Sequence, residues 1–211
     1  MDRFEFGKNW LSYSENVDFD EKVIEAKSHL NEWFDDSLAG KRFIDVGSGS
    51  GIFSVAAMLL GAEVTAFDYD QRSCECSKTL FEKIGCDGSK ARVLSGSLLD
   101  ETFVKGLGRF DIVYCWGVAH HTGDLRLGLK NLSSLAVPGG RLLVAIYNDQ
   151  GARSKIWQQV KRFYNVGFLS KWIVTLGLIP CFYLPIVLKQ AVRREARSRV
   201  KAMDIWHDYL D

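Results

Sequence analysis

The chain has no Cys-x-x-Cys pair, and its five cysteines (Cys74, Cys76, Cys86, Cys115 and Cys181) are odd in number. That pattern argues against a disulfide framework and fits a reducing compartment; Cys74 and Cys76 read as helix residues. Dense Cys/His metal-ligand spacing is also missing, so no metal site is expected. The first ten residues, MDRFEFGKNW, lack the apolar core of a signal peptide, which points to the cytoplasm. Repeats and low-complexity segments are absent, and so is any large net charge, the total being +1. That small number hides an asymmetry: residues 1–150 carry 16 Lys/Arg against 22 Asp/Glu, or −6, whereas residues 151–211 carry 11 against 4, or +7. The two parts are expected to meet different surroundings. What is present is ample apolar content, 47% beside 25% charged, enough over 211 residues to bury a full core and carry an appendage.

The hydrophobic period switches repeatedly along the chain. Residues 20–34, DEKVIEAKSHLNEWF, place Val23, Ile24, Lys27, Leu30 and Phe34 at roughly helical spacing behind acidic residues, which predicts a helix. KRFIDVG reads as a short buried strand, SGIFSVAAMLLGA as a helix stopped by Gly61, and EVTAFDYD as a second strand. A helix over 71–84, a strand ARVLSGS, an acidic connection around Asp100 and a strand FDIVYCWG follow. A helix over 124–135 is ended by VPGG, and RLLVAIYN gives a further strand. Strands alternating with helices at this spacing predict an α/β doubly wound fold, a mostly parallel sheet with helices on both faces. The predicted organisation is an N-terminal helical segment over 1–39, a core over 40–150 and a basic, apolar helical appendage over 151–211.

Between the first strand and its helix stand Gly47, Gly49 and Gly51. Glycines there let the backbone turn tightly and approach a ligand with no Cβ in the way, so a cofactor at the strand's carboxyl end is implied. A dinucleotide fingerprint wants Gly-x-Gly-x-x-Gly, but here the third glycine is one place early and Ile52 fills its site. Asp45 lies two residues before the first glycine, and Asp68 ends the next strand, 21 residues after Gly47. A carboxylate at the latter position accepts both hydroxyls of a ribose; one at the former would repel a pyrophosphate and welcome an ammonium. The ligand should carry a ribose and a cation.

These residues resemble the class I S-adenosylmethionine-dependent methyltransferases, whose fold is Rossmann-like. IDVGSGSG is similar to the family's first motif, FDYD to its second-strand acid, and VPGGRLLVAIYN to its Pro-Gly-Gly turn before the fifth strand. The resemblance covers roughly residues 40–148. FGKNW, WGVAHHTGD and AIYNDQG together resemble a bacterial subgroup likened to the ubiquinone-pathway O-methyltransferases. It implies S-adenosylmethionine as cofactor, with S-adenosylhomocysteine as product. Gly47, Gly49 and Gly51 would wrap the cofactor, Asp45 would help hold its amino acid end, Asp68 would bind the ribose, and Ser97 and Leu98 would contact adenine, while Ser48, Tyr69, Cys115 and Trp116 would also belong to the cofactor site. Trp116, His121 and Tyr147 would meet the acceptor.

His120 and His121 are the catalytic candidates, because methyl transfer to a hydroxyl or protonated amine needs an aligned acceptor and a base that works near neutral pH. The alternative is that one of them caps the helix beginning near Thr122 or Asp124, or packs on the glycine loop. In the ubiquinone-pathway enzymes this segment carries two glutamates associated with a divalent metal. Trp116 and Ala119 stand about where they would be, so no metal is expected. Neither Asn-Pro-Pro-Tyr nor Asp-Pro-Pro-Tyr follows the fourth strand, which demotes nucleic acid as a substrate despite the basic tail. Phe4, Phe6, Trp10 and Tyr13 would form a lid over the cofactor or pin the N-terminal segment to the domain.

Residues 172–188 are uncharged between Lys171 and Lys189, a run at the short limit for a membrane span and interrupted by Pro180 and Pro185. With RREARSR behind it, the segment over 168–200 suits an interfacial position at a membrane surface, or a lid or homodimer contact, the last two being favoured. No sixth or seventh strand of the family's sheet is recognisable before the C-terminus. The expected activity is methyl transfer to a small-molecule, lipophilic acceptor, at oxygen. The alternatives are a methyltransferase acting on nucleic acid or protein, a nucleotide-dependent oxidoreductase, and a non-catalytic cofactor-binding module.

Overall fold

A computed structural model of the chain describes residues 19–34, 38–86, 90–147, 151, 159–160, 162–164, 166–167 and 170–174. It divides into two compact units, Met1–Tyr147 and Asn148–Asp211. In the first unit the elements run α1 (Phe19–Phe34), β1 (Arg42–Val46), α2 (Ile52–Leu59), β2 (Glu63–Asp68), α3 (Gln71–Lys83), β3 (Ala91–Ser95), α4 (Glu101–Gly106), β4 (Phe110–Trp116), a 3-10 turn (Ala119–His121), α5 (Leu125–Leu135) and β5 (Ala136–Ala145). The sheet order is β3-β2-β1-β4-β5, and every pairing is parallel. The order reverses between β1 and β4, which opens a crevice at their carboxyl ends where doubly wound sheets take ligands.

Alternation along the strands sorts side chains to two faces. Ile44 and Val46 of β1 and Val113 and Cys115 of β4 pack with Leu98, Val104, Leu132 and Leu135 into one core beneath α4 and α5. On the opposite face Phe43 and Tyr114 stack at 5.9 Å, and Phe53 of α2 lies 5.0 Å from Tyr114. α1 joins that face through Val23, Ala26, Leu30 and Phe34, all buried. The predicted stripe included Ile24, but Ile24 is 68% exposed and Ala26 takes the inward position, because a 3.6-residue turn carries Ile24 off the buried side.

Two local predictions are corrected. The acidic connection at Asp100 opens a helix: the Asp100 carboxylate accepts from the Thr102 and Phe103 N–H groups at 2.9 and 3.1 Å and so caps α4. The last strand begins at Ala136, ahead of the Pro-Gly-Gly, because Ala136 pairs with Phe110 and a register shift absorbs the turn residues before Arg141 meets Ile112.

In the second unit, residues 170–174 are helical with Ser170 and Val174 buried. The Ser170 hydroxyl accepts from the Gly167 N–H at 3.0 Å, which fixes the start of that turn. Among the described residues no helix is long and apolar enough to cross a membrane. The aromatic residues of the predicted N-terminal lid, and the proposed interfacial segment beyond residue 174, lie outside the described residues.

Candidate active site

The turn after β1 is built almost wholly from its own backbone. The Gly47 and Ser48 N–H groups both donate to the Phe67 carbonyl, at 2.8 and 3.2 Å, and the Gly51 N–H donates to Ser48 O at 2.8 Å. The Gly49 N–H donates to Asp68 Oδ2 at 3.0 Å. Gly47 has φ +74°, and a Cβ there would overlap the Val118 side chain; Gly51 has φ +82°, and its Cβ would lie 2.8 Å from Ser77 Oγ. Glycine is therefore required at both for handedness and for space. α3 braces the turn from below, since Ser77 Oγ donates to Gly49 O at 3.2 Å and sits 3.3 Å from Ser48 Oγ.

Two carboxylates flank this turn. Asp68 accepts the Gly49 N–H on one oxygen and the Asp70 N–H, at 2.9 Å, on the other. Burial raises its pKa from the ordinary carboxylate value, and the backbone donors oppose that rise. Each oxygen still has a lone pair for a ligand hydroxyl. Asp45, 2% exposed, accepts the Ser54 hydroxyl at 2.5 Å. Burial pushes it up to about 7; the Ser54 bond works against this, and the neighbouring Asp68 charge adds to it. No cation faces either acid among the hydrogen bonds they make.

The predicted adenine and methyl-donor contacts divide. Ser97 Oγ accepts the Leu99 N–H at 3.2 Å and so shapes the turn after β3. The side chains of Leu98 and Cys115 lie in the core on the α4/α5 face, 5% and 0% exposed, so either residue would reach a cofactor through its backbone. Strand alternation sends the Cys115 thiol away from the crevice, and burial pushes its pKa up to about 12. Tyr69 follows Asp68 and is 63% exposed.

At the carboxyl end of β4 the chain turns through Gly117 and Val118 into the 3-10 turn that holds both histidines. Neither histidine caps α5; Asp124 does, accepting the Leu127 N–H at 2.9 Å. Instead His120 and His121 lie 3.9 Å apart between ring centroids, with the Tyr147 ring 4.6 Å from His120 and 6.1 Å from His121. Both ring nitrogens of His120 are buried and make no hydrogen bond, and burial lowers its pKa, so the ring is neutral at pH 7. His121 is exposed. Val118, which fills the space beside Gly47, ties this turn to the glycine turn.

Trp116 is placed differently from the histidines. It closes β4, remains 43% exposed, and stacks on Trp33 of α1 at 5.0 Å and 15°. Four residues of this region were missed by the sequence reading: Ser54, Ser77, Val118 and Trp33. Ser54 holds Asp45 and Ser77 holds the Gly49 carbonyl, and no short motif marks either. Among the described residues no cluster of three or more His, Cys, Asp or Glu could hold a metal ion.

The turn can be tested against the candidate cofactors on its own bonds. A pyrophosphate needs free N–H donors and no adjacent anion, whereas the Gly47, Ser48, Gly49 and Gly51 N–H groups are used internally and two acids stand beside them. A ribose and an ammonium, which bring their own donors, fit the two acids as acceptors.

Comparison with known proteins gives the same answer. Residues 44–142 match the methyltransferase domain family. A ubiquinone biosynthesis O-methyltransferase from Aromatoleum aromaticum is 32% identical over 120 residues, covering 56% of this chain and 49% of that protein. Another from Marinobacter nauticus is 28% identical over 135 residues, covering 64% and 56%. The chain thus spans about half the length of the curated relatives it matches. Among solved structures, the YcgJ protein from Bacillus subtilis shares the fold with a TM-score of 0.54 at 19% identity, covering 66% of this chain and 58% of that one. A chain described as a SAM-dependent methyltransferase from Streptococcus mutans gives a TM-score of 0.50 at 20% identity, covering 65% and 39%. With the parallel β3-β2-β1-β4-β5 sheet and the glycine turn between two acids, residues 44–142 match a methyltransferase domain and are similar in sequence to ubiquinone biosynthesis O-methyltransferases.

Proposed function

We propose that this chain binds S-adenosylmethionine over the glycine turn and transfers its methyl group to an oxygen of a small-molecule acceptor. The observation that carries the reading is the pair Asp45, buried in β1, and Asp68, half-buried at the end of β2, flanking a turn whose own N–H groups are already bonded. When bound, the cofactor supplies an activated methyl group on a sulfonium. Asp68 holds the ribose hydroxyls with the lone pairs its backbone donors leave free. Asp45, held partly protonated by burial, ionises when an ammonium comes near and keeps that end of the cofactor in place. Val118, packed against Gly47, brings the turn after β4 against the turn after β1.

The acceptor's proton goes to His120. Its ring is neutral, its two nitrogens lack partners, and Tyr147 and His121 fix its plane. A hydroxyl placed against it would satisfy a buried nitrogen that is otherwise unpaired. His121 is the reserve base, and Trp116 and Tyr147 form the acceptor's walls. The net charge of +7 over residues 151–211 supports a role for that end at an anionic surface, which co-sedimentation with anionic vesicles at rising salt would test.

Calorimetric titration with S-adenosylhomocysteine, beside NAD, tests the donor. Saturable binding of the former alone, weakened in Asp68→Ala, is expected. Binding of NAD in its place would favour an oxidoreductase and end the proposal. Methyl transfer that survives intact in His120→Ala would withdraw His120 as the base.

A further inference from the structure

We infer that Trp33, which lies outside the matched methyltransferase domain, is a specificity-determining residue: it holds Trp116 as a rigid flat wall that selects planar over puckered acceptors. The inference rests on the methyl-transfer reading above and deepens it at the same site. Trp33 sits on α1, one turn after His29, whose ring stacks on it at 5.4 Å and 18°. Trp116 stacks on it at 5.0 Å and 15°. Trp33 also lies 6.3 Å from both Phe53 and Tyr114, with interplanar angles of 14° and 26°. Tyr114 and Trp116 are 6.4 Å apart and 12° from parallel.

Aromatic pairs in cores mix stacked and edge-on geometries, so a near-parallel set drawn from α1, α2 and β4 fixes one plane for the whole group. Tyr114 is buried within the group and Trp33 half-buried. Trp116 is its outer member, and it is 43% exposed at the carboxyl end of β4, where doubly wound sheets take their ligands. An indole so exposed would ordinarily sample several rotamers; stacking on Trp33 removes that freedom, so a flat ligand meets a preformed surface. The Tyr114 hydroxyl, buried and without a partner in the same group, leaves one polar atom within this wall. A planar ring gains the stacking term on such a surface, and a saturated ring of equal size gains burial alone.

The experiment uses the full chain saturated with S-adenosylhomocysteine and titrates it calorimetrically with 2-naphthol and with decahydro-2-naphthol, which share a skeleton and a hydroxyl and differ in flatness. Wild type is expected to prefer the flat compound roughly three- to tenfold. Trp33→Ala should bring that ratio to about one, and Trp33→Phe should restore most of it, with the affinity for S-adenosylhomocysteine unchanged in all three. Trp33→Leu, which keeps apolar volume against Phe53 and Tyr114 but has no ring, replaces the alanine variant if that one does not fold. The inference is overturned if wild type binds neither compound or shows no preference. It also falls if the preference survives in both Trp33→Ala and Trp33→Leu. Failure of wild type to bind S-adenosylhomocysteine would instead sink the methyltransferase reading, before Trp33 is tested at all.

Discussion

The two halves of the site are made in opposite ways. Around the glycine turn nearly every polar group already has a partner within the protein: four N–H groups are bonded to Phe67, Ser48 or Asp68, and Ser54 and Ser77 hold the acids and carbonyls in place. Around the turn after β4, both His120 nitrogens and the Tyr114 hydroxyl are buried without partners, and Trp116 and Tyr147 are exposed. A prebuilt cradle suits a ligand that every member of a family shares. Unpaired groups suit one that arrives with its own donors, and they cost stability until it does.

Removing His120, the proposed base, should have the largest effect. His120→Ala is expected to lower turnover roughly 10²- to 10⁴-fold, with the affinity for S-adenosylhomocysteine within about twofold of wild type. Single-turnover kinetics beside calorimetry measures both; a parallel loss of cofactor affinity would erase the division between the halves. On the other side, Asp68→Ala should weaken S-adenosylhomocysteine about 100-fold, because it removes charge-assisted bonds to the ribose and releases the Gly49 N–H together. Turnover at saturating cofactor should fall much less.

The pH dependence sharpens the same contrast. In the folded protein Asp45 titrates at about 7, against an ordinary value of 3.8, so between these values the unfolded chain has already lost a proton that the native state keeps. Stability of the free protein should therefore fall as the pH rises from about 4 to about 7 and level off above that, and the raised Asp68 adds with the same sign. Thermal midpoints across that range should flatten in Asp45→Asn. They should flatten too with saturating S-adenosylhomocysteine, whose ammonium favours the ionised acid. The smallest effect is expected away from both halves: Asp100→Ala loses the α4 cap, about 1 kcal/mol of stability by denaturant titration, and leaves both affinities unchanged.

The cofactor half was more legible in the sequence than the acceptor half. Gly47 and Gly51 are visible because a left-handed turn without room for a Cβ admits almost nothing else, and Asp45 and Asp68 because strand ends fix their place. Ser54 and Ser77 were invisible, since a serine on a helix reads the same whether it supports a loop or faces water. α4 was missed because six residues are too few to show a period, and its signal was the Asp100 cap alone. The start of β5 was misjudged because pairing with β4 carries the strand through a Pro-Gly-Gly that locally reads as a stop.

By itself the sequence determined the alternation of strands and helices, the glycine turn and its two acids, and with them the class of cofactor. Those features are local, written in periods of 2 and 3.6 residues and in backbone conformations that only certain residues adopt. Tertiary structure alone decided that Cys115 and Leu98 face the core, that the His120 ring nitrogens are buried without hydrogen-bond partners, and that Trp33 stacks on Trp116 across 83 positions of sequence. Such contacts depend on how α1 and β4 pack against the same face of one sheet, and no local rule of spacing carries that information.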